Sequence, residues 1–229
     1  MSTLRLHNPA FPRNAPTLDM NGHQIRIALK RCILRAAPAS SLTLAVEELG
    51  LLHGKGRADL AVINCPFIGY EIKGEGDDLR RLRVQVTAYD AVFDYSWIVP
   101  TEQHLRAVVD TVPSWWGILV ALPTDWGEVD FAAVRQPSRN PSTDDLAIAQ
   151  LLWRTEAQAI LLELGFRGAD LRRSRTLLYE DIVKSLSPVA LRRQVGSALS
   201  QRRGWRDHAE SARGDGSFQP LETGKGFPV

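Results

Sequence analysis

Cysteine is scarce in this sequence: there are two, Cys32 and Cys65, among 229 residues. They lie far apart, with no CxxC pair or Cys/His cluster, so neither a zinc site nor a disulfide framework is supported. That usage fits a reducing compartment, and a cytoplasmic location is expected. Long apolar runs are also missing. No stretch approaches the roughly 18 residues of a membrane span, so no membrane partner is expected. The opening MSTLRLHNPAFPRN has no continuous apolar core, which argues against a cleaved secretion signal. Histidines are few and dispersed (His7, His23, His53, His104 and His208), without metal-ligand spacing. The GKG at 54–56 lacks Walker spacing, and no GxSxG or Cys/His signature suggests covalent catalysis.

What is present is an ordinary globular mixture, 44% hydrophobic and 24% charged, long enough for one substantial domain and a smaller one. Net charge is only +2, but its distribution is uneven. Between Arg167 and Arg206 ten Lys/Arg stand against three Asp/Glu. Such a segment can attract a polyanion, or it can be a set of solvated helix faces.

Residues 1–18 are rich in Pro and Asn and read as irregular. Asp19 or Asn21 can cap a helix to about Ala37, with Ile25, Ala28, Leu29, Cys32 and Ile33 on one side. Apolar runs of strand length follow at roughly 41–48, 58–64 and 68–73, with NCPF as the turn between the second and third. The period then becomes helical, with Leu79, Leu82, Val86, Tyr89 and Phe93 sharing a face. YSWIVP reads as a buried strand and TEQHLRAVVDTV as a helix capped by Thr101. SWWGILVAL and EVDFAAVR read as two more strands. The order α-β-β-β-α-β-α-β-β implies an α/β fold with a mixed sheet flanked by helices. PSRNPS at 137–142 reads as a linker between a domain at 19–136 and a small all-α domain at 143–206. In that second part, 143–165 reads as one helix striped by Leu146, Ala149, Trp153, Ala157, Ile160 and Leu164. Helices near 174–186 and 188–203 follow, the last opened by Ser187-Pro188. Residues 207–229 read as a flexible tail.

One constellation carries chemistry. If the second and third strands form a hairpin about Cys65-Pro66, Glu71 and Lys73 share a face, because residues two apart do so. Asp59 then falls opposite the 71–73 stretch. A third carboxylate, Glu48 or Glu47, leads into the preceding loop; strand parity allows only one of them on the site face. Carboxylates without softer ligands suit a hard cation such as Mg²⁺ or Mn²⁺, which usually takes further ligands from water and substrate phosphate. That donor set fits phosphodiester hydrolysis, with a lysine beside the developing charge. Arg57, Arg80 and Arg81 flank the acids and could grip phosphates, although Arg80 to Arg83 also read as an exposed helix face. In the last helix Arg192 and Arg193 lie largely off the apolar face of Leu191, Val195, Ala198 and Leu199. That arrangement would let them meet a nucleic-acid backbone, or mark a docking element.

GRADLAVINCPFIGYEIK resembles the core of the PD-(D/E)XK, or restriction-endonuclease-like, nuclease superfamily, whose pattern is an acid, a spacer and (D/E)-x-K on adjacent strands. Downstream, Gln85-Val-Thr-Ala-Tyr89 resembles the QxxxY helix motif of RecB-like members. The phrases EELGL, GRADLAVI, GYEIK, QVTAYDAVFD and WWGI are similar to a group of small bacterial nuclease-like proteins. The resemblance implies an α-β-β-β-α-β core. It implies Asp59 and Glu71 as metal ligands, joined by the Ile72 backbone carbonyl, with Glu48 as an auxiliary acid. Lys73 would orient water or stabilise the transition state, Gln85 would position water or metal, and Tyr89 would buttress the site or touch DNA. The proline that names the motif is absent; Arg57-Ala58 stands before Asp59. The first helix offers no obvious glutamate to the site.

The expectation is therefore a Mg²⁺-dependent nuclease acting on DNA in a repair, mobile-element or defence setting, with Mn²⁺ able to substitute. A catalytically inactive DNA-binding or protein-interaction factor on the same scaffold is the alternative. A homodimer is compatible with either.

Overall fold

The structure, a computed structural model, describes residues 20–37, 43–63 and 66–202. It is an α/β fold built on a six-stranded mixed sheet. Helix α1 (Gly22–Ala36) is followed by β1 (Leu44–Leu51), β2 (Gly56–Ile63), β3 (Phe67–Lys73), α2 (Leu82–Val92), β4 (Tyr95–Pro100), α3 (Glu102–Val109), β5 (Gly117–Pro123) and β6 (Val129–Arg135). The strands lie side by side in chain order. β1, β2 and β3 form an antiparallel meander, while β3, β4 and β5 run parallel and β6 returns antiparallel. Parallel neighbours need crossover connections, and α2 and α3 supply them.

The two faces of the sheet are covered differently. α1 lays Ile25, Leu29 and Ile33 against Leu60, Val62, Tyr70 and Ile72. Burying each such aliphatic side chain contributes roughly 1.5–3 kcal/mol. The opposite face packs under α2, α3 and four further helices: α4 (Asp145–Ala149), α5 (Arg154–Glu163), α6 (Arg175–Ser185) and α7 (Pro188–Ser200). Their Ile148, Leu161, Tyr179, Leu191 and Val195 share one apolar cluster with Ile63, Phe67 and Phe93. No helix among the described residues is long and apolar enough to cross a membrane.

Several expectations need correction. The stretch 143–165 is two helices, interrupted between Ala149 and Arg154. Trp153 therefore leaves the expected stripe. It is mostly exposed and stacks under the Arg202 guanidinium, 4.2 Å from the ring centre. Thr101 precedes α3, but its side chain makes no capping bond. Asn21 and Ser187 do cap α1 and α7, accepting from Gln24 N and Ala190 N. The 137–142 segment is strapped to the fold. Asn140 is buried and donates to the carbonyls of Asp90 and Phe93 at 2.7 and 2.8 Å, and Ser138 N donates to Trp115 O. The calls on residues 1–18, Cys65, Arg203 and 207–229 lie outside the described residues.

Candidate active site

The site lies where the β1–β2–β3 meander opens. β1 and β2 pair on both sides of Glu48 and Asp59 but not at them, and β2–β3 pairing ends at Leu60–Tyr70. Extending either register sets Glu48 beside Asp59, and Asp59 beside Glu71. The pleat also changes phase there. Val46 and Ala61 face the α2 side, as do Leu49 and Ala58 across the break, although strict alternation would send that second pair to the α1 side. Glu48 carries the switch in β1, with a left-handed φ of 55°. That conformation costs a non-glycine residue roughly 1–2 kcal/mol.

The gap left in the β2–β3 ladder is bridged by side chains. Asp59 Oδ2 accepts from Ile72 N at 2.8 Å. The Tyr89 hydroxyl donates to Tyr70 O at 2.9 Å and accepts from Asp59 N at 3.3 Å. Tyr89 is fully buried among Phe93 and Trp116, so it buttresses the site.

Glu71 and Lys73 project from β3 toward α2. Lys73 Nζ donates to Glu71 Oε1 at 2.8 Å and to Gln85 Oε1 at 2.9 Å. Gln85 Nε2 also donates to Glu71 Oε1. Two side chains thus converge on one carboxylate oxygen. The other, Glu71 Oε2, is buried without a hydrogen-bond partner. Burial, then the nearby Asp59 charge, raise the Glu71 pKa from 4.5 to about 7, against the downward pull of Lys73. Burial also raises Asp59, with the Glu48 charge acting in the same direction.

These groups form the floor of a cleft of about 700 Å³, lined also by Gly22, His23, Arg26, Asp77, Asp78, Arg80 and Arg81. α1 is seated directly on the exit from β3. Glu75 N donates to Met20 O, and a Cβ on Gly74 would come within 2.5 Å of Gly22 N. Only glycine at 74 lets the start of α1 reach the cleft.

The structure therefore brings together Asp59, Glu71, Ile72, Lys73 and Gln85, supported by Tyr89, with Arg80 and Arg81 at the rim. It does not bring in the others. Glu48 lines no part of the cleft, and both its oxygens are held, Oε1 by Arg26 and Oε2 by Arg57. Glu47 pairs instead with Lys30 at 2.6 Å and Arg26 at 3.4 Å. Arg57 pairs with Glu48 through Nε and is otherwise largely exposed. His53 packs on the Tyr179 ring, away from the acids. The expectation for Arg192 is corrected: it is buried and bonded to Asp94, Asp145, Thr143 and Pro188 O. Arg193 beside it is exposed. Sequence reasoning missed His23 and Arg26. Their signal was spacing, because Gly22, Arg26 and Lys30 are four apart and share one face of α1.

Among the described residues, no three His, Cys, Asp or Glu side chains cluster closely enough to hold a metal ion by themselves. Two acids do offer unclaimed hard oxygens, Glu71 Oε2 and Asp59 Oδ1. A buried carboxylate oxygen with no partner is costly, and a cation relieves that cost. The donor set thus fits a Mg²⁺ or Mn²⁺ ion completed by backbone, water and substrate oxygens.

A family model described as Bacteriophage P4 protein cII matches residues 21–210. The chain belongs to this phage P4 cII family. The match spans the sheet, the cleft and the C-terminal helices alike, so the family unit includes α4–α7. No curated protein matches the chain. Among solved structures, it is similar to the SPO1766 protein of unknown function from Silicibacter pomeroyi, at 16% identity and a TM-score of 0.41. That likeness covers 65% of this chain and 95% of the other.

Proposed function

We propose that this phage P4 cII family member is a metal-dependent nuclease of the restriction-endonuclease-like type, hydrolysing phosphodiester bonds in DNA. One observation carries the reading: Glu71 Oε2 is buried and unpartnered beside Asp59, on the floor of a cleft rimmed by arginines. The α-β-β-β-α-β order from α1 to β4 supports it, as do the adjacent-strand positions of Asp59 and Glu71-x-Lys73. The family takes its name from a bacteriophage protein, which suits the mobile-element setting expected above.

Asp59 and Glu71 would hold the cation, with the Ile72 carbonyl as a further oxygen ligand. A bound Mg²⁺ would supply positive charge against the phosphate and make water a better nucleophile at neutral pH. Lys73 keeps an ammonium beside Glu71, where charge would build on the phosphate oxygens. Gln85 fixes that ammonium and the carboxylate together, so neither must reorganise during reaction. Arg80 and Arg81 would grip phosphates flanking the cleft.

The test is cleavage of single-stranded and duplex DNA with Mg²⁺ or Mn²⁺. Wild-type cleavage should fall at least a hundredfold in Asp59→Ala and Glu71→Ala; equal cleavage by all three would refute the proposal. One observation favours a second reading, a non-catalytic DNA-binding factor. The 2.8 Å Lys73–Glu71 pair already compensates half of the carboxylate charge without any metal. Salt-sensitive DNA affinity, with no cleavage under any divalent ion, would favour that reading.

A further inference from the structure

We infer that Arg26, rather than Glu48, is the group supplied to the cleft beside the two acids, and that it contacts a phosphate of the bound strand. The inference rests on the nuclease reading and extends it to how the substrate is held. The cleft is lined by Gly22, His23 and Arg26 of α1 as well as by Arg80 and Arg81 ahead of α2. Glu48 is not part of that lining.

Arg26 is fixed from its rear. Its Nη1 donates to Glu48 Oε1, and Glu47 Oε2 lies 3.4 Å from Nε as an ion pair. Arg57 holds the other oxygen of Glu48, and Lys30 the other oxygen of Glu47 at 2.6 Å. Arg26, Arg57 and Lys30 are thus threaded on the two carboxylates. The Arg26 side chain is only 19% exposed, and its Nε is buried without a hydrogen-bond partner, the Glu47 contact being a 3.4 Å ion pair. A guanidinium already held through Nη1 has donors left for a phosphate oxygen, and little side-chain entropy remains to be lost when it binds one. A strand bound in the cleft would meet Arg26 and Arg81 beside the two carboxylates.

The alternative is that Arg26 only staples α1 to β1. The two are separable by binding measurements that require no turnover. The probe is a fluorescently labelled DNA oligonucleotide, titrated in Ca²⁺ over a range of salt, with Mn²⁺ affinity and thermal unfolding measured in parallel. Arg26→Gln should weaken DNA binding about tenfold, as loss of a charge-assisted bond does, and lower the salt slope by about one. Its Mn²⁺ affinity should stay at the wild-type level. Arg26→Lys keeps the charge and the pairing to Glu48. It should keep the salt slope and the melting temperature while still losing DNA affinity, because the fork is gone. Glu48→Gln should retain Mn²⁺ binding. Wild-type DNA affinity in both Arg26 variants would overturn the inference, and so would a loss of Mn²⁺ affinity in Glu48→Gln as large as in Asp59→Asn. If the wild-type protein bound neither DNA nor Mn²⁺, the nuclease reading itself would fall, which is a different outcome from normal wild-type binding unaffected by Arg26.

Discussion

Two buried ionic clusters occupy the α2 side of the sheet, and they are finished to different degrees. In one, Asp94 at the start of β4 accepts from Phe67 N at 2.9 Å and from Arg192 Nε at 3.1 Å. Arg192 spends its remaining nitrogens on Asp145, Thr143 and Pro188 O. Each charge has a partner, and the partners come from β3, β4, the 140s and α7, so the cluster pins the C-terminal helices to the sheet. In the other, Glu71 gives one oxygen to Lys73 and Gln85 and leaves the second with none. Buried charge that is fully matched is architecture. Buried charge left one ligand short is what the proposed cation would complete.

The contrast predicts opposite responses to mutation. Asp94→Ala strands a buried guanidinium, and should cost about 3–5 kcal/mol in urea unfolding, independent of divalent ions. A smaller loss is expected for Tyr89→Phe. Its hydroxyl serves Tyr70 O and Asp59 N, where the strand ladder is open, so destabilisation of about 1–3 kcal/mol should follow. Tyr89 is too buried to touch substrate, so DNA affinity in Ca²⁺ should hold.

Glu71 should behave in the reverse sense. Its folded pKa of about 7 lies above the ordinary 4.5, so the folded chain keeps a proton that the unfolded chain releases between those values. The native state binds more protons in that window, and stability must fall as pH rises through it. Asp59, also raised, acts in the same direction. Without metal, the protein should lose on the order of 1–3 kcal/mol between pH 5 and 8. Glu71→Gln should flatten much of that slope in paired unfolding curves at the two pH values. A slope unchanged by the substitution would mean that Glu71 is not the group responsible.

How far these clusters were legible in sequence follows from the range of their contacts. The site is built mainly from short-range order. Period-two spacing gave Glu71 and Lys73 one face, the hairpin supplied Asp59, and four-residue spacing joined Gln85 to Tyr89. The α/β order and the mixed sheet were readable for the same reason. The Asp94–Arg192 pair joins residues 98 apart, and nothing local announces it. A clue did exist in α7, where Arg192, Val195 and Leu199 stand at i, i+3 and i+7 on a buried face. Helical-face reading placed Arg192 off the stripe of Leu191, Val195, Ala198 and Leu199, and so on the surface. Strand parity left Glu47 and Glu48 undecided because it assumes an unbroken pleat, whereas the left-handed backbone of Glu48 turns its side chain toward Arg26 and Arg57. The break between α4 and α5 was hidden because the apolar stripe continues through Trp153 even though the helix does not.

The most direct test of the central claim is calorimetric titration of the metal-free protein with Mn²⁺, beside Asp59→Asn, Glu71→Gln and, as the contrasting cluster, Arg192→Lys. The account predicts saturable binding to the wild type, loss of at least tenfold in affinity in each of the first two variants, and wild-type affinity in any folded Arg192→Lys protein. No binding by the wild type, or binding that survives both Asp59→Asn and Glu71→Gln, would contradict it.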